Sequence, residues 1–161
     1  MNLQSIIDKK DKAAKYMHDE ITYICKNLPK RDPGSEGELE GCKYMAKALT
    51  EQCGCDSAEI EEFKENPGSF YGWIYITVTC MLASAALLFF VPVLSIILIT
   101  FGLVLAVLQF GLYWKFVDKL FPEKIGHNVT AIKKPTGEVK RRVFFNGHVD
   151  AAWEWPVHYA L

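Results

Sequence analysis

Between residues 71 and 114 the chain runs for 44 residues without one Asp, Glu, Lys, Arg or His. As one helix that run would be about 66 Å long, roughly twice the ~30 Å hydrocarbon core of a bilayer. It has to fold back. Pro92 divides it into residues 71–91 and 93–114, and a proline inside a helix removes an amide donor and collides with the preceding turn. The run therefore predicts two spanning α-helices in a tight hairpin, with residues 71–114 in the lipid bilayer. Phe70, Tyr71, Trp73 and Tyr75 enter it, and Phe110, Tyr113, Trp114 and Phe116 leave it, which matches the aromatic belt of a membrane interface. The competing reading is a buried hairpin of a soluble protein, which the absence of any charged face disfavours.

All 18 Lys and Arg and all 19 Asp and Glu lie outside this run, and the net charge is -1. There is no electrostatic case for a nucleic-acid partner, which usually needs a basic face. Lys115, Lys119, Lys124, Lys133 and Lys134 follow the second helix, whereas the tip around Phe90 to Val93 carries no charge. A hairpin returns both flanks to one side, and the positive-inside tendency makes that side the cytoplasm of a cell membrane crossed twice. The first 30 residues contain no apolar stretch with a cleavage site, so no export signal is expected. Five cysteines (Cys25, Cys42, Cys53, Cys55, Cys80) are an odd set without an export signal, and reduced thiols are expected. Cys53 and Cys55 flank Gly54 in a solvent-side turn, because no nearby pattern supplies the other ligands of a metal clip.

Ile7, Ala14, Met17, Ile21, Ile24 and Leu28 recur at steps that stack on one helix face, predicting an amphipathic helix over residues 4–28. Pro29 and Pro33 end it. Ser35, three residues before Glu38, is the arrangement in which each side chain satisfies an orphan amide of a new helix. That helix runs to about Gln52, with Leu39, Cys42, Met45, Ala46 and Leu49 on its apolar side and Gly54 as its cap. Residues 58–63 are read as a strand. His127 to Lys133 and Val139 to Asn146 are β-rich around a Pro135-Thr136-Gly137 turn, and predict an antiparallel pair. Val143, Phe144 and Phe145 in succession suggest that the second of these strands is central and buried on both faces. Three segments follow: 1–66 with the opening helices and first strand, 67–115 with the hairpin, and 116–161 continuing the first domain.

Gly147-His148-Val149-Asp150 stands where that last strand would end. An imidazole can ligate zinc through one nitrogen while a carboxylate holds the other. The plainer reading is a strand-end histidine bonded to its neighbours. Glu154 and His158 are four apart, but two ligands without a third read as surface residues. His18 lies among charges and is expected to be solvated; His127 precedes a strand, where it can cap or bond locally. Trp153 and Trp155 either wall a pocket or pack under a loop. No phosphate-binding glycine loop and no Ser or Cys nucleophile setting is present.

Asn128-Val129-Thr130-Ala131, a turn, and then Arg142-Val143-Phe144-Phe145-Asn146-Gly147-His148-Val149-Asp150 resemble metallopeptidase family 28, the zinc exopeptidases that include leucyl aminopeptidases. Arg31-Asp32-Pro33-Gly34-Ser35-Glu36-Gly37-Glu38, with Tyr44 and Leu49 behind it, resembles the family's opening helix. Together the matches cover about residues 5–66 and 120–152; the hairpin departs from soluble members and resembles their membrane-inserted branch. The resemblance implies an α/β fold, a zinc-exopeptidase-like mixed sheet with helices, interrupted by the transmembrane hairpin. It implies His148 as a metal ligand, Asp150 as the catalytic-site carboxylate that orients it, two zinc ions, and a peptide substrate cleaved as by an aminopeptidase. In such a site zinc activates water while a Glu takes its proton. The family's bridging Asp, Glu-Glu pair, further acid and distal His are not found in residues 151–161. These residues are therefore expected to form the N-terminal part of such an enzyme and to be inactive alone. The alternative is a non-catalytic membrane protein that keeps the scaffold for binding.

Overall fold

The computed structural model of the chain describes residue 4 and residues 7–151. Glu154, His158, Trp153 and Trp155, singled out above, lie outside the described residues. The described residues form a mixed α/β arrangement of four α-helices and one two-stranded antiparallel sheet. They fall into two compact units: one runs to Phe63 and resumes at Gly126, the other is Lys64–Ile125.

In the first unit, α1 (Lys10–Asn27) and α2 (Glu36–Glu51) follow one another across the proline-bearing loop. Residues 128 to 132 alternate between exposed and half-buried, so His127, Val129 and Ala131 share the more buried face of their strand. The buried positions of α2 are Gly37, Glu38, Gly41, Cys42 and Ala48. That face is centred on small residues and a carboxylate, with Leu39, Met45, Ala46 and Leu49 only half-buried beside it. α1 has no buried residue. Its predicted stripe stays largely open, with Met17 and Ile21 exposed, and it meets α2 through other groups. Tyr23 stacks on Tyr44 with ring centroids 4.9 Å apart. Tyr44 Oη donates to Glu20 at 2.6 Å and Tyr16 Oη donates to Gln52 at 2.6 Å. The bond to Glu20 is the main reason that the Tyr44 hydroxyl is pushed up to about 12, since ionising it would put two anions together.

α2 ends where expected. Gly54 has φ +65°, a conformation that lets the chain reverse, and Cys55 N–H bonds back to Leu49 O at 3.0 Å. The chain then enters β1 (Ser57–Glu65), the strand read from residues 58–63, and β2 is Lys124–Ile132. β1 pairs with β2, and Asp56 N–H reaches Ile132 O at 2.8 Å. This corrects the pairing expected from the sequence. Residues 139–146 form no strand, and Val143, Phe144 and Phe145 are exposed, Phe145 at 96%. The partner assigned to β2 from its sequence neighbour is supplied instead by a strand from the other side of the hairpin. A central strand needs a neighbour on each side, and the described residues contain two strands in all.

The second unit holds α3 (Ser69–Leu87) and α4 (Pro92–Ala106), the latter extended by one π-helical turn, Val107–Gly111. Pro92 occupies the first turn of α4, where its missing N–H costs nothing. The reversal is made by residues 88–91, with Val91 N–H on Leu87 O at 2.8 Å. The two spans, Ser69–Leu87 and Pro92–Gly111, are each long and apolar enough to cross a bilayer, and no more than 22% of either is buried. They lie together through small and hydroxylated residues. Ser84 and Ser95 each donate to the other's backbone oxygen, at 2.9 and 2.8 Å, and Thr77 Oγ1 reaches Gly102 O at 3.4 Å. A Cβ on Gly102 would come within 3.4 Å of Cys80 Cβ, so the glycine brings the backbones close. Trp73 stacks on Phe110 at 5.4 Å. The outward surface is apolar almost throughout, with Leu82, Phe89, Phe90, Val93 and Ile96 exposed.

Candidate functional site

The His148 motif sits on the end of α2 that starts at Ser35. Ser35 Oγ accepts from Glu38 N–H at 3.2 Å, and the Glu38 carboxylate accepts from Gly34 N–H at 3.2 Å. The reciprocal cap is thus formed one residue upstream of the expected amide, because Ser35 N–H already bonds to Asp32 O at 3.0 Å. Glu38 is 4% exposed. A carboxylate so placed needs partners that isolated burial would deny it, and the second is His127 Nδ1, 3.4 Å from Glu38 Oε2. His127 was expected to bond locally; it lies inside β2 and its partner is 89 positions away. Below this pair Cys42 Sγ donates to His127 O at 3.5 Å. Burial pushes the Cys42 thiol up, with the carboxylates of Glu38 and Asp150 adding to it. It stays a protonated weak donor and is no nucleophile.

His148 and Asp150 lie in contact within one turn. His148 Nδ1 is 2.9 Å from Asp150 O and 3.3 Å from Asp150 Oδ1. The nearer acceptor is the backbone oxygen, so the ring is held by the turn first and by the carboxylate second. The His148 side chain is 81% exposed, and with Nδ1 engaged the Nε2 nitrogen is the one left for a ligand. The expected setting differs: the motif follows exposed, irregular chain and not the end of a buried strand.

As a zinc site this donor set is partial. It provides one imidazole and its orienting group, and no group of three or more His, Cys, Asp and Glu positioned to hold a metal occurs among the described residues. Of the buried group, the Glu38 carboxylate meets His127 Nδ1 and Cys42 Sγ is engaged at the His127 backbone oxygen. Cys53 is exposed, Cys55 half-buried, and both thiols are free. His18 is solvated, 3.3 Å from Asp19.

Sequence reasoning missed Glu38 and His127 as a buried pair. Glu38 was visible as a capping residue, and His127 as a residue at the start of a β-rich stretch. Nothing in either signal joined them. Glu38→Ala leaves Gly34 N–H and the His127 ring without their acceptor, and should destabilise the protein by about 2–5 kcal/mol. Glu38→Gln, which keeps an acceptor oxygen, should cost less than half of that. Urea unfolding in detergent measures both; an unchanged midpoint for Glu38→Ala would show that the pair does not hold the loop.

No protein-family model, curated protein or solved structure matches the chain.

Proposed function

We propose that the chain is the N-terminal part of a membrane-anchored, zinc-dependent exopeptidase, acting as an aminopeptidase on peptides. The observation that carries the reading is the exposed His148 ring, whose Nδ1 lies 2.9 Å from Asp150 O and 3.3 Å from Asp150 Oδ1, which leaves Nε2 for a ligand. The sequence resemblance around residues 128–131 and 142–150 supports it. The chemistry that zinc supplies when bound is an activated water for attack on a peptide carbonyl. The described residues supply one ligand, its orientation and the anchor. The second reading is a non-catalytic membrane protein that keeps the scaffold for binding.

The hairpin supports the anchor. In this reading its exposed apolar surface faces lipid, and the lysines beyond it keep both flanks cytoplasmic. Cys25 and Cys53, exposed in the structure, should then stay unlabelled by an impermeant maleimide in intact cells and react once the membrane is opened. Rapid labelling of intact cells would invert the orientation.

The activity is tested on protein made from the complete reading frame and purified in detergent. Leucine p-nitroanilide hydrolysis that is lost on chelation and restored by zinc, but not by magnesium, supports the exopeptidase. Peptide binding without hydrolysis at any metal loading supports the scaffold reading in its place.

A further inference from the structure

The turn that carries His148 and Asp150 is gripped on its far side by the loop before α2. Arg31 makes two bonds to it. Its Nε donates to Val149 O at 3.2 Å, and its own backbone oxygen accepts from Ala151 N–H at 2.8 Å. Val149, the residue between His148 and Asp150, lies over Gly41, where an added Cβ would come within 2.8 Å of Val149 Cγ1 and 2.9 Å of Arg31 Cδ. A side chain there would have to displace Val149 or Arg31.

The loop itself is rigidly set. Glu38 accepts from Gly34, Ser35 accepts from Glu38, and Ser35 N–H bonds to Asp32 O. A Cβ on Gly37 would fall 2.0 Å from Lys30 O, so the chain passes against the first turn of α2 with no slack. Through His127 the same carboxylate is anchored to β2. The path from sheet to turn is therefore continuous: β2, Glu38, the loop, Arg31, Val149. The geometry matters because His148 is exposed and has no packing of its own to hold it, and an exposed ligand is useful only if its backbone is fixed from elsewhere.

We infer that Arg31, with Gly41 beneath it, is a positioning residue for the His148–Asp150 turn, setting where the imidazole stands without touching metal or substrate. The role rests on the zinc-exopeptidase reading of His148. The guanidinium and carbonyl of this one residue hold the peptide groups on either side of Asp150, and the Asp150 oxygen that meets His148 Nδ1 belongs to the second of them, so the grip reaches the imidazole through that contact.

The test measures zinc affinity by competition with a chromophoric chelator, together with the unfolding midpoint and hydrogen exchange at the Ala151 amide, on the detergent-purified protein from the complete reading frame. Arg31→Ala and Gly41→Ala should each weaken zinc binding about 10- to 100-fold, as groups behind a ligand typically do. Exchange at Ala151 should quicken, and the unfolding midpoint should move little. Arg31→Lys, which keeps a donor on a long stem, should recover part of the affinity. His148→Ala is the control. If it removes zinc while Arg31→Ala and Gly41→Ala do not, the positioning role is overturned and the exopeptidase reading survives. If it leaves zinc binding unchanged, that reading has failed and the positioning role falls with it. Affinity lost only in step with the unfolding midpoint in both variants, with no recovery in Arg31→Lys, would make Arg31 merely structural and would also overturn the inference.

Discussion

Under the exopeptidase reading proposed above, His148→Ala is expected to abolish peptide hydrolysis and zinc binding while leaving the fold intact. The two halves of that expectation come from different observations. A site that depends on a full ligand count loses its ion when a neutral imidazole is removed. The fold should survive because the His148 side chain is 81% exposed and bonds within its own turn, and substitutions of that kind usually change stability by no more than about 0.5 kcal/mol. Asp150→Asn should be much milder, about 10-fold in affinity or activity, at the gentle end of losses behind a ligand. The reason is that the nearer acceptor of Nδ1 is the Asp150 backbone oxygen, which the substitution keeps. Zinc content per folded molecule, turnover and melting temperature separate the outcomes. Lower melting temperatures with zinc content and specific activity unchanged would assign both residues to structure alone.

Much of the fold was legible because it follows from local pattern. Forty-four residues without a charge leave few alternatives to a hairpin, and Pro92 marks the reversal because a proline is tolerated in the first turn of a helix and not inside it. Ser35 and Glu38 announce the start of α2 for a similar reason. Pairing was not legible. β-rich composition marks residues 127–133 as a strand but says nothing of the neighbour, and the Pro135-Thr136-Gly137 turn made 139–146 the obvious partner. The actual partner, β1, is brought in from before the hairpin by contacts of high sequence separation. The stripe of α1 shows the same limit, since periodicity tells which residues share a face and not what covers it. At the site, the His148–Asp150 contact spans two positions and could be read directly. Arg31 with Val149 and Glu38 with His127 span 118 and 89 positions, so no local signal links them.

If the two apolar helices lie in a bilayer, replacing residues 71–114 with a short Gly/Ser linker is expected to give a protein that stays in solution without detergent. The wild-type chain exposes long apolar side chains over both helices of the hairpin, far more than a soluble protein leaves contiguous on its surface. The linker removes that surface and leaves the chain on either side with bonds of its own. Asn66 Nδ2 donates to Phe121 O at 2.9 Å, and Lys64 Nζ meets Glu123 Oε1 at 2.8 Å. These contacts join the ends of β1 and β2 outside the hairpin, and the length of the linker itself adds little cost. One residue needs attention. Phe121 packs against Gly68 and Gly72, at positions where a Cβ would collide with its ring, and loss of Gly72 uncovers it; Phe121→Ser in the linker variant should therefore improve solubility further. Ultracentrifugation without detergent and amide exchange across α2 and β2 give the result. Supernatant protein with the Glu38–His127 region protected would show that residues 1–66 and 116–161 form one domain interrupted by the hairpin. Aggregated or unprotected protein, with and without detergent, would show instead that the hairpin is part of what holds that domain together.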